Sequence, residues 1–133
     1  MSAKELKFEG GILDWETDNY SNTVNLLIKE PNGEIWANIP YFSSFEKANE
    51  FLEKTVPEQL EKGETKKFSK SIVYTDKEDT KSSYTTATLT FKYYKAKTLI
   101  IDLSKFTTHW EGAHKTNSKR EAKTIKLGKR VEK

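Results

Sequence analysis

Apolar and polar residues alternate along most of this chain, which is the period of a half-buried strand. Glu5-Leu6-Lys7-Phe8-Glu9 shows the alternation first, Gly10-Gly11 interrupts it, and Ile12-Leu13-Asp14-Trp15 resumes it. A paired glycine inside a strand predicts a bulge or sharp coil, a device that barrels use to turn corners. Asp18-Asn19-Tyr20-Ser21-Asn22 reads as a loop from its turn-forming residues. Thr23 to Lys29 and Glu34 to Ile39 predict the two strands of a hairpin joined by Glu30-Pro31-Asn32-Gly33. Pro31 pre-sets the turn and Asn-Gly supplies the positive φ that a tight hairpin requires. Strict alternation on the second strand puts Ile35, Ala37 and Ile39 on one face, with Trp36 and Asn38 on the other.

The period changes after Pro40, which closes that strand. Ser43 stands three residues before Glu46, the capping-box spacing. Phe45, Ala48, Phe51 and Leu52 then fall on one helical face, predicted to be buried. Thr55-Val56-Pro57-Glu58 repeats the capping logic, so the helix either kinks there or gives way to a second short one ending at Gly63. Strand patterns return at Phe68 to Thr75, and Asp76 to Ser83 reads as a charged loop. From Tyr84 to Tyr94 the alternation is regular: Ala87, Leu89, Phe91 and Tyr93 on one face, Thr86, Thr88, Thr90, Lys92 and Tyr94 on the other. A more apolar strand runs from Lys97 to Leu103, and Ile125 and Leu127 allow one short strand in an otherwise basic tail.

This order predicts a mostly β domain with one helix, β-β-β-α-β-β, over residues 1–103, followed by a basic tail over 104–133. A five-stranded oligonucleotide/oligosaccharide-binding (OB) barrel places its helix between the third and fourth strands, and the helix from Ser43 to Glu61 holds that position. An α+β sheet with one packed helix is the alternative. In its order of elements from about Lys4 to Leu103 the chain resembles the small OB-fold single-stranded DNA-binding proteins of phages and mobile elements. That resemblance implies aromatics and lysines on an exposed strand face. Many bacterial members end in an acidic, partner-recruiting tail, whereas here the end is basic.

Composition narrows the chemistry. A chain of 133 residues is about one domain, and 35% hydrophobic against 32% charged residues allows only a small core. The absence of cysteine removes disulfides, thiolate metal sites and cysteine nucleophiles, and suits a reducing cytoplasm. No apolar run approaches the ~18 residues of a membrane span, and the start of the chain is too polar for a secretory signal. The net charge of +3 is uneven: residues 104–133 carry nine Lys/Arg and three Glu, whereas residues 1–103 carry 14 Lys and 17 acids. A basic segment of this kind invites a polyanion.

Catalytic signatures are lacking. His109 and His114 flank Glu111, but a spacing of five sets the histidines on neither one helical face nor one strand face. Asp76, Glu78 and Asp79 lack the glycine and terminal glutamate of a calcium loop. There is no phosphate loop, dinucleotide fingerprint or nucleophile elbow. Aromatics, in contrast, make up 12% of the chain, and single-stranded nucleic acid is held by bases stacking on such rings while cations follow the backbone. Between Thr65 and Leu103, eight Lys face four acids. The expected contact residues are therefore Trp36, Lys66, Lys67, Lys70, Lys92 and Tyr94, with Trp36, Lys92 and Tyr94 forming one exposed stacking platform. For Trp36, packing against the helix or the tail is the competing placement. The sequence thus predicts a non-enzymatic, cytoplasmic, sequence-tolerant single-stranded DNA-binding protein of replication or recombination. No cofactor, metal or membrane is expected, and its partners are single-stranded nucleic acid and other replication proteins. The alternative is a protein-interaction module, such as a phage-encoded inhibitor or an assembly component, using the same aromatics as hot spots.

Overall fold

The computed structural model describes residues 5–18 and 23–131. They form two four-stranded antiparallel sheets with one helical stretch between them in sequence. The first sheet is a meander of β1 (Leu6–Phe8), β2 (Gly11–Asp18), β3 (Thr23–Lys29) and β4 (Ile35–Phe42). Leu6 pairs with Leu13 and Phe8 with Gly11, so the paired glycine belongs to a tight turn between two strands instead of a bulge within one. The predicted loop at residues 19–22 lies outside the described residues. The β3–β4 hairpin forms as expected: Gly33 takes φ 97°, and the Glu34 N–H donates to Asn32 Oδ1 at 2.9 Å.

Two irregularities shape β4. Its pairing jumps from Ile28–Ala37 to Lys29–Ile35, leaving Trp36 as the extra residue of a bulge. The alternation expected for this strand therefore breaks: Ala37 and Ile39 are buried but Ile35 is exposed. A second jump, from Leu26–Ile39 to Val24–Phe42, accommodates Pro40. Proline lacks an N–H but is tolerated at a bulge of an edge strand, so β4 continues past it to Phe42 instead of closing there.

The helix comprises α1 (Phe45–Glu50), a π-helical turn (Phe51–Thr55) and α2 (Val56–Lys62). Ser44, not Ser43, caps it, accepting from the Lys47 N–H at 3.2 Å. The π turn ends two residues before Pro57, whose ring would collide with a normal helical carbonyl four residues back, at Glu53 inside the turn, and the wider turn relieves that clash. Thr55 has helical φ and ψ and makes no side-chain cap, so one helix runs through to Gly63 in the left-handed conformation (φ 62°). The buried stripe is Ala48, Leu52, Val56 and Leu60; Phe51 is partly buried against the core, whereas Phe45 lies beside the stripe and is exposed, contrary to expectation. Ser44→Ala should lower stability by about 1 kcal/mol while Ser43→Ala leaves it unchanged, a difference that paired urea melts resolve.

The second sheet is made of much longer strands, β5 (Lys66–Glu78), β6 (Lys81–Tyr93), β7 (Thr98–Glu111) and β8 (His114–Lys129). Two sequence expectations are corrected here. Asp76 to Ser83 is not a loop, because β5 and β6 stay in register to Glu78–Lys81 and turn through Asp79 (φ 56°) and Thr80. Nor is there a domain boundary at Leu103: β7 passes straight through it, and β8 pairs along the whole of β7. Ile125 and Leu127 of the supposed tail are buried in the same core as Leu13 and Phe91.

Eight strands in two sheets replace the expected five-stranded barrel, and the sheets do not close. At one corner they are stitched by main-chain bonds, Gly10 N–H to the Leu127 carbonyl (2.8 Å) and Glu9 N–H to the Lys129 carbonyl (2.9 Å). At the other, the Lys70 ammonium donates to the Tyr41 carbonyl at 2.8 Å. One core fills the space between, drawn from β1–β4, the helix, and the near half of the second sheet. The far half projects beyond it. At about 3.4 Å per residue the long strands reach well past the short ones of the first sheet.

Candidate binding face

The register of the second sheet sorts its residues into two faces, since directly paired residues of antiparallel strands point to the same side. The inner face begins with core rows such as Phe68–Phe91–Ile101–Ile125 and Lys70–Leu89–Leu103–Lys123. Farther out it turns polar, with the row Asp76–Ser83–His109–Asn117 and then Glu78–Lys81–Glu111–His114. His109 and His114 therefore share a face after all, because a hairpin turn separates them. Among the described residues no group of three or more His, Cys, Asp or Glu is placed to hold a metal ion.

The outer face has a different composition. Its six rows run from Lys67–Lys92–Ile100–Lys126 to Lys77–Ser82–Trp110–Lys115, and none of these positions is buried. Six cations stand on it, Lys67, Lys77, Lys92, Lys115, Arg120 and Lys126, against a single carboxylate, Asp102. Lys92 forms an ion pair with that carboxylate, and the Thr124 hydroxyl donates to it at 2.9 Å. The Lys92 hydrogen bond holds the Asp102 carboxyl below its usual range, with help from Thr124 and the charge of Lys67 and against some desolvation. The lone acid of the face is thus neutralised by one of its own lysines. Most of the remaining positions are Ser or Thr, several bonded in cross-strand pairs such as Ser69–Thr90 (2.8 Å) and Ser71–Thr88 (2.7 Å).

Aromatic rings interrupt this hydroxyl surface on the projecting half. Tyr84 pairs with Thr108, which places it diagonally between Phe106 and Trp110 on the neighbouring strand. Such diagonals span roughly 7–8 Å between backbones, so the three residues are close neighbours on one face. Tyr84 is 50% exposed, Phe106 38% and Trp110 37%, and Val73 beside them 53%. The Arg120 guanidinium lies 4.9 Å from the Phe106 ring centre. A shallow groove of about 840 Å³ along this end is lined by Lys77, Tyr84, Thr108 and Trp110 among others.

The residues singled out from sequence are divided between the two sides. Lys67 and Lys92 are directly paired on the outer face. Lys66 and Lys70 belong to the inner face, and Lys70 is occupied there, 4.4 Å above the Tyr41 ring. Tyr94 is half-buried in the turn joining β6 to β7, where its carbonyl accepts from the Lys97 N–H. Trp36 is on the far side altogether. The β4 bulge turns its half-buried ring toward Gly11 and a small pocket shared with Leu103, Lys105 and Lys123, with the Lys123 ammonium 5.9 Å from the ring centre. Trp36, Lys92 and Tyr94 therefore do not form one platform. Sequence reasoning missed Tyr84, Phe106, Trp110 and Arg120 as a group. Their signal was the alternation of Phe106, Thr108 and Trp110 with Thr107 and His109, a continuation of the strand period beyond Leu103.

No known family profile, curated protein or solved structure matches this chain. Among the described residues no helix is long and apolar enough to cross a membrane.

Proposed function

We propose that this chain binds single-stranded nucleic acid, without catalysis and with little sequence preference, on the outer face of its second sheet. The observation that carries the reading is the company of six cations and three exposed aromatics on one open face whose only carboxylate is already paired. Phosphates are drawn by the Lys and Arg side chains, and unpaired bases stack on Tyr84, Phe106 and Trp110. A duplex presents the same phosphates but keeps its bases stacked on each other, so the rings favour single strands. One helix set between two groups of strands is what supports the OB-like resemblance, which implies a role in replication or recombination. The cysteine-free composition suits the cytoplasm.

Titrating oligo-dT at several salt concentrations tests this. Trp15 is buried, so quenching of tryptophan fluorescence should come chiefly from Trp110, be lost in Trp110→Phe, and weaken as salt rises. Tyr84→Ala should weaken binding by ~1–3 kcal/mol with little change in melting temperature, because that ring is half exposed. Trp36→Ala is the contrasting variant: its ring packs on the core, so stability falls while affinity per folded molecule holds. Absence of quenching at low salt would transfer the aromatic cluster to a protein partner, the alternative reading.

A further inference from the structure

The four outermost strands of the two sheets are not equally protected. An unpaired edge is a template for another strand, and proteins blunt such edges with bulges, proline, charge or a cover. The β1 edge is covered, since Phe8 bridges to Arg130 and the Val131 N–H donates to the Lys7 carbonyl at 2.8 Å. Pro40 and two bulges interrupt β4. Two register shifts and the charges of Lys119, Arg120 and Lys123 guard β8. β5 has none of these devices along its middle. Its thirteen residues pair with β6 without a single register shift, and Ser71 to Thr75 carries no charge, proline or glycine. Among the described residues no main-chain hydrogen bond reaches β5 from any strand but β6.

We propose that β5 pairs edge to edge and antiparallel with β5 of a second copy of this chain, centred on Val73. The charge pattern of the strand selects this occupant and this direction. Its first half is basic (Lys66, Lys67, Lys70), and its end carries two carboxylates, Asp76 and Glu78, on either side of Lys77. A two-fold antiparallel pairing brings Lys70 of each copy to Asp76 of the other, whereas a parallel pairing would set like charges side by side. With Val73 opposite itself, Ile72 faces Tyr74 and Lys70 faces Asp76 across the axis. Lys70 retains donors beyond the one given to Tyr41, and the nearby positive charge of Lys47 makes an added carboxylate welcome there. Residues directly opposite share a side, so the outer faces of the two copies join into one eight-stranded surface, whatever that surface binds. Beyond Lys70 the end of β4 limits the ladder, so the interface is small and the dimer concentration-dependent.

Sedimentation velocity of the full chain across a hundred-fold range of protein concentration tests the proposal. The wild type should pass from monomer to dimer. Val73→Lys, at a half-exposed position, should keep its circular-dichroism melt and raise the dimer dissociation constant by at least about tenfold, through like charges meeting on the axis. Asp76→Lys should weaken the dimer similarly, and the double exchange Lys70→Asp with Asp76→Lys should restore it. A wild type that stays monomeric throughout overturns the proposal and leaves the edge to a strand of another protein. A dimer that survives Val73→Lys, or a double exchange that fails to recover while still folded, overturns it as well by placing the contact elsewhere.

Discussion

A chain ending at Leu103 is expected to be unfolded at 25 °C, showing neither a sigmoidal thermal melt nor dispersed amide resonances. Removing residues from Ser104 onward takes away the outer half of β7 and all of β8. It strips Ile125 and Leu127 out of a core in which they are 3% and 0% exposed, and it uncovers Leu99, Ile101 and Leu103 along their paired edge. Reducing a single buried Leu or Ile to Ala costs about 2–5 kcal/mol, and a whole domain of this kind is stable by only about 5–15. Two such residues and their ladder therefore consume most of the margin. The main-chain bonds from β8 to Glu9 and Gly10 go at the same time, so the first sheet loses its anchor to the second. A truncated chain with an unchanged midpoint would mean that β8 is an accessory arm after all.

That contrast shows where sequence reading reaches and where it stops. Residues 84–94 were legible because the near half of the second sheet has a core on one side only, and a one-sided core writes Ala87, Leu89, Phe91 and Tyr93 against Thr86, Thr88 and Thr90. The β3–β4 hairpin was legible because Asn32-Gly33 has few other uses. The projecting half of the same strands has no core on either side, so no apolar period survives in Asp76–Ser83 or Lys115–Lys123, and both resemble loop or tail. What holds them extended is the register inherited from the buried half, a non-local cause. The bulge at Trp36 is non-local too. The alternation through Ile35, Ala37 and Ile39 is regular in sequence, and only the pairing of Lys29 with Ile35 reveals that one residue has been inserted. Lys92 was legible on the Thr face of its strand, whereas its pairing with Lys67 is visible only in the register of β5 with β6. Trp36 takes its competing placement, against the segment read as a tail, and of the aromatic cluster Phe106 and Trp110 fell in that segment whereas Tyr84 opened a legible strand.

The joint between the sheets gives the second large expected effect. Gly10→Ala should destabilise the protein by about 3 kcal/mol, a loss that overpacking of this severity produces, and lower the melting temperature by roughly 10 °C. The cause is not backbone conformation, since Gly10 does not occupy the left-handed region. A β-carbon there would lie 2.2 Å from the Lys126 carbonyl oxygen and 3.2 Å from that of Leu127. Both are main-chain atoms of β8 and cannot rotate away as a flexible side chain would. Relief requires the β1–β2 turn to lift off β8, which lengthens the bonds from Gly10 to Leu127 and from Glu9 to Lys129 and opens the core above Leu127. Gly33→Ala provides the comparison. Its β-carbon would meet nothing within 4 Å, so its cost comes only from φ 97° in an exposed turn and should be the smaller of the two. Hydrogen exchange identifies the site of the damage: in Gly10→Ala the amides of residues 6–13 and 125–130 should lose protection first, while those of the β5–β6 pair keep theirs. Equal loss of protection across both sheets would show that the joint is not a separate point of weakness and that the sheets unfold as one unit.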